Sequence, residues 1–198
     1  MTTQQSYDES RPQLQMVWPE HLLNTPPVVR LADGYSLRTY RPGDEPRFFR
    51  LMELAGWPGW DNERLKPSLS RILPDGWFMA VHEANGEIVA TAMALHNYSG
   101  LQPFEGNLGW LAGNPAHAGH GLGSAVSAAA TARLIAAGYR DIRLGTEDFR
   151  LAATRTYLKL GYVPILNRPE MIERWQAICG ILKWPFSSTS TPDPHQPI

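Results

Sequence analysis

A chain of 198 residues with 43% hydrophobic side chains can enclose one compact core and scarcely two. Its 18 basic and 19 acidic residues leave a net charge of −1, which excludes the broad basic footprint of a nucleic-acid or anionic-membrane binder. The lone Cys179 excludes an internal disulfide framework and fits a reducing compartment. With no signal-peptide pattern and no apolar run near the roughly 20 residues of a membrane span, the chain is expected to be cytoplasmic, with no membrane or nucleic-acid partner.

Residues 1–13 and 187–198, polar and rich in Ser, Thr and Pro toward the C-terminus, are expected to be disordered tails around a single domain over 14–186. "PPVVRL" (26–31) and "YSLRTYR" (35–41) read as strands around the turn "ADG". Asp44 then signals a helix start and Gly56 its stop. "GWFMAVHE" and "EIVATAMALHN" form a hairpin around "ANG", the strongest short turn signal in the chain. A strand in "GNLGWLAG" leads into a glycine-rich loop and a helix from about Ser124 to Ala137, closed by Gly138. A strand in "DIRLGT", a helix from about Leu151 to Leu160 closed by Gly161, and a strand in "YVPIL" follow. Met171, Trp175, Ile178 and Leu182 recur at helical spacing, so the last element is an amphipathic helix whose stripe packs into the core. The fold class is α/β, a mixed and partly antiparallel central sheet with helices on both faces.

The loop "AHAGHGLGSAV" carries glycines at 119, 121 and 123 directly before a helix. Glycines let backbone approach a ligand closely, and the helix behind adds its positive dipole end, which suits a diphosphate. The same pattern also serves a tight connection, so the loop alone leaves both readings open. Together with "AAGYRDIRLGTEDFRLAATRTYLKLGYVPIL", the stretch from about Asn107 to Leu166 resembles the acetyl-coenzyme A binding half of the GNAT N-acetyltransferases. From about Val28 to Tyr98 the likeness extends only to the order of elements. Gly121 and Gly123 fill the two small positions of that family's Arg/Gln-x-x-Gly-x-Gly/Ala loop, and Ala153, Tyr157 and "KLGY" fill positions of its later helix. Three positions depart from the pattern: Ala118 stands for the Arg/Gln, His120 for a common arginine, and Arg150 for a frequent asparagine. An imidazole in place of a guanidinium makes coenzyme affinity modest and sensitive to pH, rising as pH falls.

The resemblance implies acetyl transfer from acetyl-coenzyme A to an amine, with Gly119, His120, Gly121, Leu122, Gly123, Ser124, Arg150 and Ala153 at the coenzyme. It implies too that a bulged fourth strand offers backbone groups of Leu111, Ala112 and Gly113 to the pantetheine arm and thioester. Tyr157 stands at the family's tyrosine acid, where it protonates the leaving thiolate; its other reading is a packed helix aromatic. The family's strand glutamate aligns with Asn107, which cannot take a proton, so Glu105, two residues earlier on the same strand face, is the candidate base. Glu105 also reads as a plain strand-start residue, with His96, Glu147, Asp148 or a water chain as further routes for the proton. Trp57, Trp60 and Asp61 fall where the family binds its acceptor, although tryptophans there also read as core.

Two other readings compete. A dinucleotide-binding unit with Glu147 as ribose acid fails because too little chain follows the loop for a doubly wound sheet. A non-catalytic acyl-coenzyme A binding or sensing domain is the alternative that the missing glutamate and loop arginine favour. His117 and His120 lack a third metal ligand nearby in sequence, so no metal site is expected. A homodimer is left open.

Overall fold

The computed structural model describes residues 12–100 and 103–187. In chain order the elements are β1 (Leu14–Val17), β2 (Tyr35–Thr39), α1 (Glu45–Leu54), α2 (Asn62–Leu69), β3 (Ile72–His82), β4 (Ile88–His96), β5 (Gly106–Gly113), α3 (Leu122–Ala136), β6 (Ile142–Thr146), α4 (Leu151–Leu160), β7 (Val163–Pro164) and α5 (Pro169–Leu182). They fall into two compact units, a larger one over Trp18–Arg143 and a smaller one made from the chain up to Val17 and from Leu144 onward.

In the larger unit the strand order is β2-β3-β4-β5-β6, antiparallel except for the parallel β5–β6 pair. The β3–β4 hairpin closes where the "NG" signal lies, with the Gly86 N–H donating to the His82 carbonyl and Gly86 at φ +71°. Strand alternation sorts the core. Trp77 and Met79 of β3 and Met93 and Leu95 of β4 join Phe48, Leu51 and Met52 of α1 and Leu65 of α2 in one buried cluster. The intervening Ala90, Ala92 and Ala94 present only methyl groups on the other face, which leaves room for the alanine-rich α3 packed on β3, β4 and β5. Burying these large side chains is worth roughly 1.5–3 kcal/mol each, so this cluster contributes substantially to the unit's stability.

Asp44 precedes α1, as its sequence position suggests, but its carboxylate does not cap the helix. It accepts instead from both terminal nitrogens of Arg38, at 2.6 and 2.8 Å, and from the Arg41 N–H at 2.8 Å. Burial alone raises this carboxyl's pKa, yet the Arg38 and Arg41 bonds outweigh it and hold the group below its ordinary value.

In the smaller unit β1 and β7 pair antiparallel through Met16↔Pro164 and Val17↔Val163. Gly161, at φ +116°, ends α4 by donating to the Leu158 and Tyr157 carbonyls. Met171, Trp175, Ile178, Cys179 and Leu182 of α5 are buried, so the stripe is core.

Several expectations need correction. "PPVVRL" is not a strand: Pro26 and Pro27 have no N–H to donate, and Val28 and Val29 are exposed at 73% and 37%. A strand that sequence reading missed, β1, lies further upstream. The "YVPIL" strand shrinks to two residues around Pro164. Of the segments expected as tails, 1–11 and 188–198 lie outside the described residues. Pro12 and Gln13 are held in place, the Pro12 carbonyl by Arg174 at 2.8 Å and the Gln13 amide by Glu147 at 2.6 Å.

Candidate active site

The glycine loop follows β5 through one 3-10 turn, Pro115–His117, whose start is fixed by Asn114 Oδ1 accepting from the Ala116 N–H at 3.0 Å. Gly119 and Gly121 then take left-handed conformations, φ +86° and +71°, which a β-carbon strains. A β-carbon added at either would meet nothing within 4 Å, and one at Gly123 would meet only Leu111 Cδ1, at 3.8 Å. Packing therefore does not demand these glycines; the backbone path does at 119 and 121, and all three leave open space beside the main chain. Gly121 is the N-cap residue of α3 and contributes no side-chain cap. The first-turn N–H groups of α3, including Leu122, Gly123 and Ser124, have no acceptor within the helix. The loop thus presents several donors and a positive dipole end to one place. Ala118 is exposed and offers no polar side chain.

Just upstream, β5 is bulged. Met93 pairs with Gly109 and Thr91 with Ala112, so one residue of β4 faces two of β5, and Trp110 sits at φ +51°. A tryptophan in that region costs on the order of 1–3 kcal/mol, a strain the surrounding packing must hold. Pairing of β5 with β6 extends over only Gly106↔Ile142 and Asn107↔Arg143. Leu111, Ala112 and Gly113 follow the bulge directly: Ala112 is buried, Leu111 half-buried and Gly113 exposed.

Trp110 was not legible as a site residue, because nothing in the sequence marks a bulky residue for positive φ. Its indole N–H donates to Ser68 Oγ at 3.0 Å, and its ring is met by Trp60, Trp57 and Tyr98 at 4.5, 5.8 and 6.0 Å between centroids. Trp60 is 7% exposed and belongs to the core cluster, whereas Trp57 is half-buried beside it. Asp61 caps α2, with Oδ1 accepting from the Arg64 N–H at 2.8 Å. The structure therefore brings Trp57 and Trp60 to the bulge and commits Asp61 to a helix end.

The carboxylate candidate near β5 is enclosed. Glu105 is 1% exposed, and its Oε1 accepts from Ser99 Oγ at 2.8 Å and from the Asn107 side-chain amide. Arg143 Nε lies 3.9 Å from Oε2 and 2.8 Å from Asp141 Oδ1. Asn107 Oδ1 in turn accepts from the N–H groups of Tyr98, at 2.7 Å, and Ser99, at 3.4 Å. This network ties the end of β4 to the start of β5. His96 is engaged next to it, Nδ1 within 2.8 Å of the Tyr139 hydroxyl.

In the smaller unit Tyr157 is 6% exposed, and burial pushes its phenol well above the ordinary value, with the nearby Arg150 charge opposing and Glu147 adding. It stays protonated throughout the physiological range. Arg150 precedes α4 and pairs with Glu147 at 2.9 Å, and Asp148 is held by Arg174. Ala153 is half-buried on α4. Among the described residues no three His, Cys, Asp or Glu side chains group as metal ligands, and no helix is long and apolar enough to cross a membrane.

Residues 42–162 match the model of the acetyltransferase (GNAT) family. The chain is 30% identical over 149 residues to the mycothiol acetyltransferase of Actinosynnema mirum, a match over 71% of this chain and 48% of that protein. It is 31% identical over 146 residues to the mycothiol acetyltransferase of Nocardia farcinica, over 70% and 48% respectively. The chain thus spans about half the length of these curated relatives. The crystal structure of a GCN5-related N-acetyltransferase from Sphaerobacter thermophilus superposes with a TM-score of 0.61 at 26% identity, over 78% of this chain and 49% of that one.

Proposed function

The chain belongs to the acetyltransferase (GNAT) family, and from that premise we propose that it moves an acetyl group from acetyl-coenzyme A to an amine of a small molecule or protein. One observation carries the reading: a left-handed glycine path opens α3 directly after a bulged strand, which leaves backbone donors unspent beside open space. The N–H groups from His120 to Ser124 are the proposed diphosphate seat. The backbone of Leu111, Ala112 and Gly113 is the proposed contact for the pantetheine arm and for the thioester oxygen, where negative charge grows during attack.

In the proposed reaction the neutral amine nitrogen bonds to the acetyl carbon, the carbon–sulfur bond breaks, the thiolate takes its proton from the Tyr157 hydroxyl, and the proton that the nitrogen sheds as the amide forms passes through water to restore the phenol. Burial raises this phenol's pKa, so the hydroxyl rests protonated and holds a proton to give as the carbon–sulfur bond breaks. The ammonium form of the acceptor must first lose a proton. Glu105 is enclosed, with two hydrogen bonds accepted at Oε1 and Oε2 shut away from solvent, so we assign it and Asn107 to positioning β5 and give the proton to water. Trp57 and Trp110 form the proposed acceptor wall.

Calorimetry with acetyl-coenzyme A, followed by thiol release against an amine panel, tests the proposal. The amine precursor of mycothiol heads the panel, because the curated relatives carry that name. Thiol release that depends on an amine supports acetyl transfer. Binding without release moves the chain to the sensing alternative, and absence of binding overturns both.

A further inference from the structure

We propose that Tyr35, His82, His117 and His120 form a second anion seat beside the glycine loop, which takes the 3′-phosphate on the adenosine half of the coenzyme and gains protons as it does so. The proposal rests on the acetyl-coenzyme A reading above. Three segments distant in sequence converge here: the first residue of β2, the last of β3, and the loop. The Tyr35 ring lies 5.4, 5.7 and 5.3 Å from the rings of His82, His117 and His120, and His82 lies 4.9 Å from His117. Tyr35, His82 and His117 are half-buried, and His120 is exposed. Coenzyme A carries its diphosphate and its 3′-phosphate one ribose apart, so a seat for the first implies an anion close by. No lysine or arginine occurs from Asn114 to Thr131, so the cation-forming side chains of the loop and of the start of α3 are its two histidines, with His82 beside them.

The hydrogen bonds decide the chemistry. In all three rings Nδ1 is the engaged nitrogen: that of His117 with the Tyr35 hydroxyl at 2.9 Å, that of His82 with Asn85 Oδ1 at 3.1 Å, and that of His120 with the His117 carbonyl at 3.2 Å. An oxygen of an amide carbonyl only accepts, so Nδ1 carries the hydrogen in His82 and His120, and their neutral rings offer a lone pair at Nε2. A phosphate oxygen cannot bond a lone pair. Each of these two rings must therefore take a proton at Nε2 to hold the anion, whereas His117, whose partner is a hydroxyl, can donate from Nε2 while neutral. The charged groups on the neighbouring turns are Asp33, Glu83 and Glu87. The Glu83 N–H donates to the Gly34 carbonyl and the Glu87 carbonyl accepts from the His82 N–H. None of these carboxylates forms an ion pair with the three rings among the described residues. The facing loop and first turn of α3 carry no acidic residue.

Calorimetry at pH 7.5 in two buffers of different ionisation enthalpy, with coenzyme A and with dephospho-coenzyme A, reads the proposal. Coenzyme A should bind with uptake of between one and about two protons, tightening up to about 10-fold per proton for each unit of pH lowered. Dephospho-coenzyme A should bind about 10- to 100-fold more weakly, since two charge-assisted contacts are missing, and with fewer protons taken up. His82→Asn should weaken coenzyme A by about 3- to 10-fold and leave the dephospho form unchanged. A second variant, His117→Asn, should narrow the difference between the two ligands in the same direction. Equal affinities and equal proton uptake for both ligands would overturn the 3′-phosphate seat while leaving the coenzyme reading intact. Failure of both ligands to bind overturns the two together.

Discussion

The two polar stretches that flank β5 hold residues of comparable chemical promise and differ in what those residues already bond. At the start of the strand, Ser99, Glu105 and Asn107 bond one another or nearby backbone, with Arg143 3.9 Å from the enclosed Glu105 carboxylate. After it, from Asn114 to Ser124, the groups on offer are main-chain N–H donors beside glycines that face open space. A buried polar group stabilises the fold only when it is paired, and a paired group has little left for a substrate. Capacity for chemistry in a residue type therefore says less about a site than whether its hydrogen-bonding groups remain unspent.

The largest expected effect lies on the open side. Gly121→Val combines a β-branched residue at φ +71° with bulk beside the donors, and it should weaken acetyl-coenzyme A by on the order of 100-fold in calorimetry. An affinity unchanged by that substitution breaks the comparison, because the space would then serve no ligand. Tyr157→Phe should lower kcat by about 100-fold with coenzyme affinity retained. Because burial keeps this phenol protonated, the wild-type rate should not decline through its ionisation until pH exceeds about 10.

On the closed side the effects should appear in stability before they appear in rate. Glu105→Ala removes one partner of a buried network and should cost about 3–5 kcal/mol, read by denaturant unfolding. Glu105→Gln should keep kcat within about 3-fold, whereas loss of a true general base costs about 100-fold or more. A kcat collapse in the glutamine variant, with stability intact, makes Glu105 the base after all. Smallest is the effect at the Asp44–Arg38 pair, which tests the same logic outside the site. The carboxyl is held below its ordinary value, so the pair's contribution is full above that value and lost as pH falls through the lowered one. The difference in Tm between wild type and Asp44→Asn should be largest near neutral pH and shrink in acid.

Much of the fold was legible because its signals are local. "NG" for the hairpin, Gly161 behind α4 and the glycine loop before α3 each express a backbone conformation that one residue type accepts cheaply. Valines in "PPVVRL" misled for the converse reason: β-propensity describes fit to a half-buried pleated surface, and no such surface meets Val28 and Val29. The order of elements from β2 to α5 was also readable, apart from α2, since hydrophobic period switches between strand and helix along the chain.

Of the proposed site, the sequence showed only the backbone path of the loop. Trp110 at the bulge follows from a register offset between β4 and β5, and the histidine cluster joins positions 35, 82, 117 and 120, which share no sequence pattern. The sequence by itself determined where backbone would turn left-handed and open a helix, because steric limits on φ and ψ act within a residue and its immediate neighbours. Only the tertiary structure decided that Glu105 is enclosed, that Trp60 is core and that three imidazoles share one ring of contacts with Tyr35. Hydrogen-bond partners and ring contacts come from segments far apart along the chain, and folding alone chooses them.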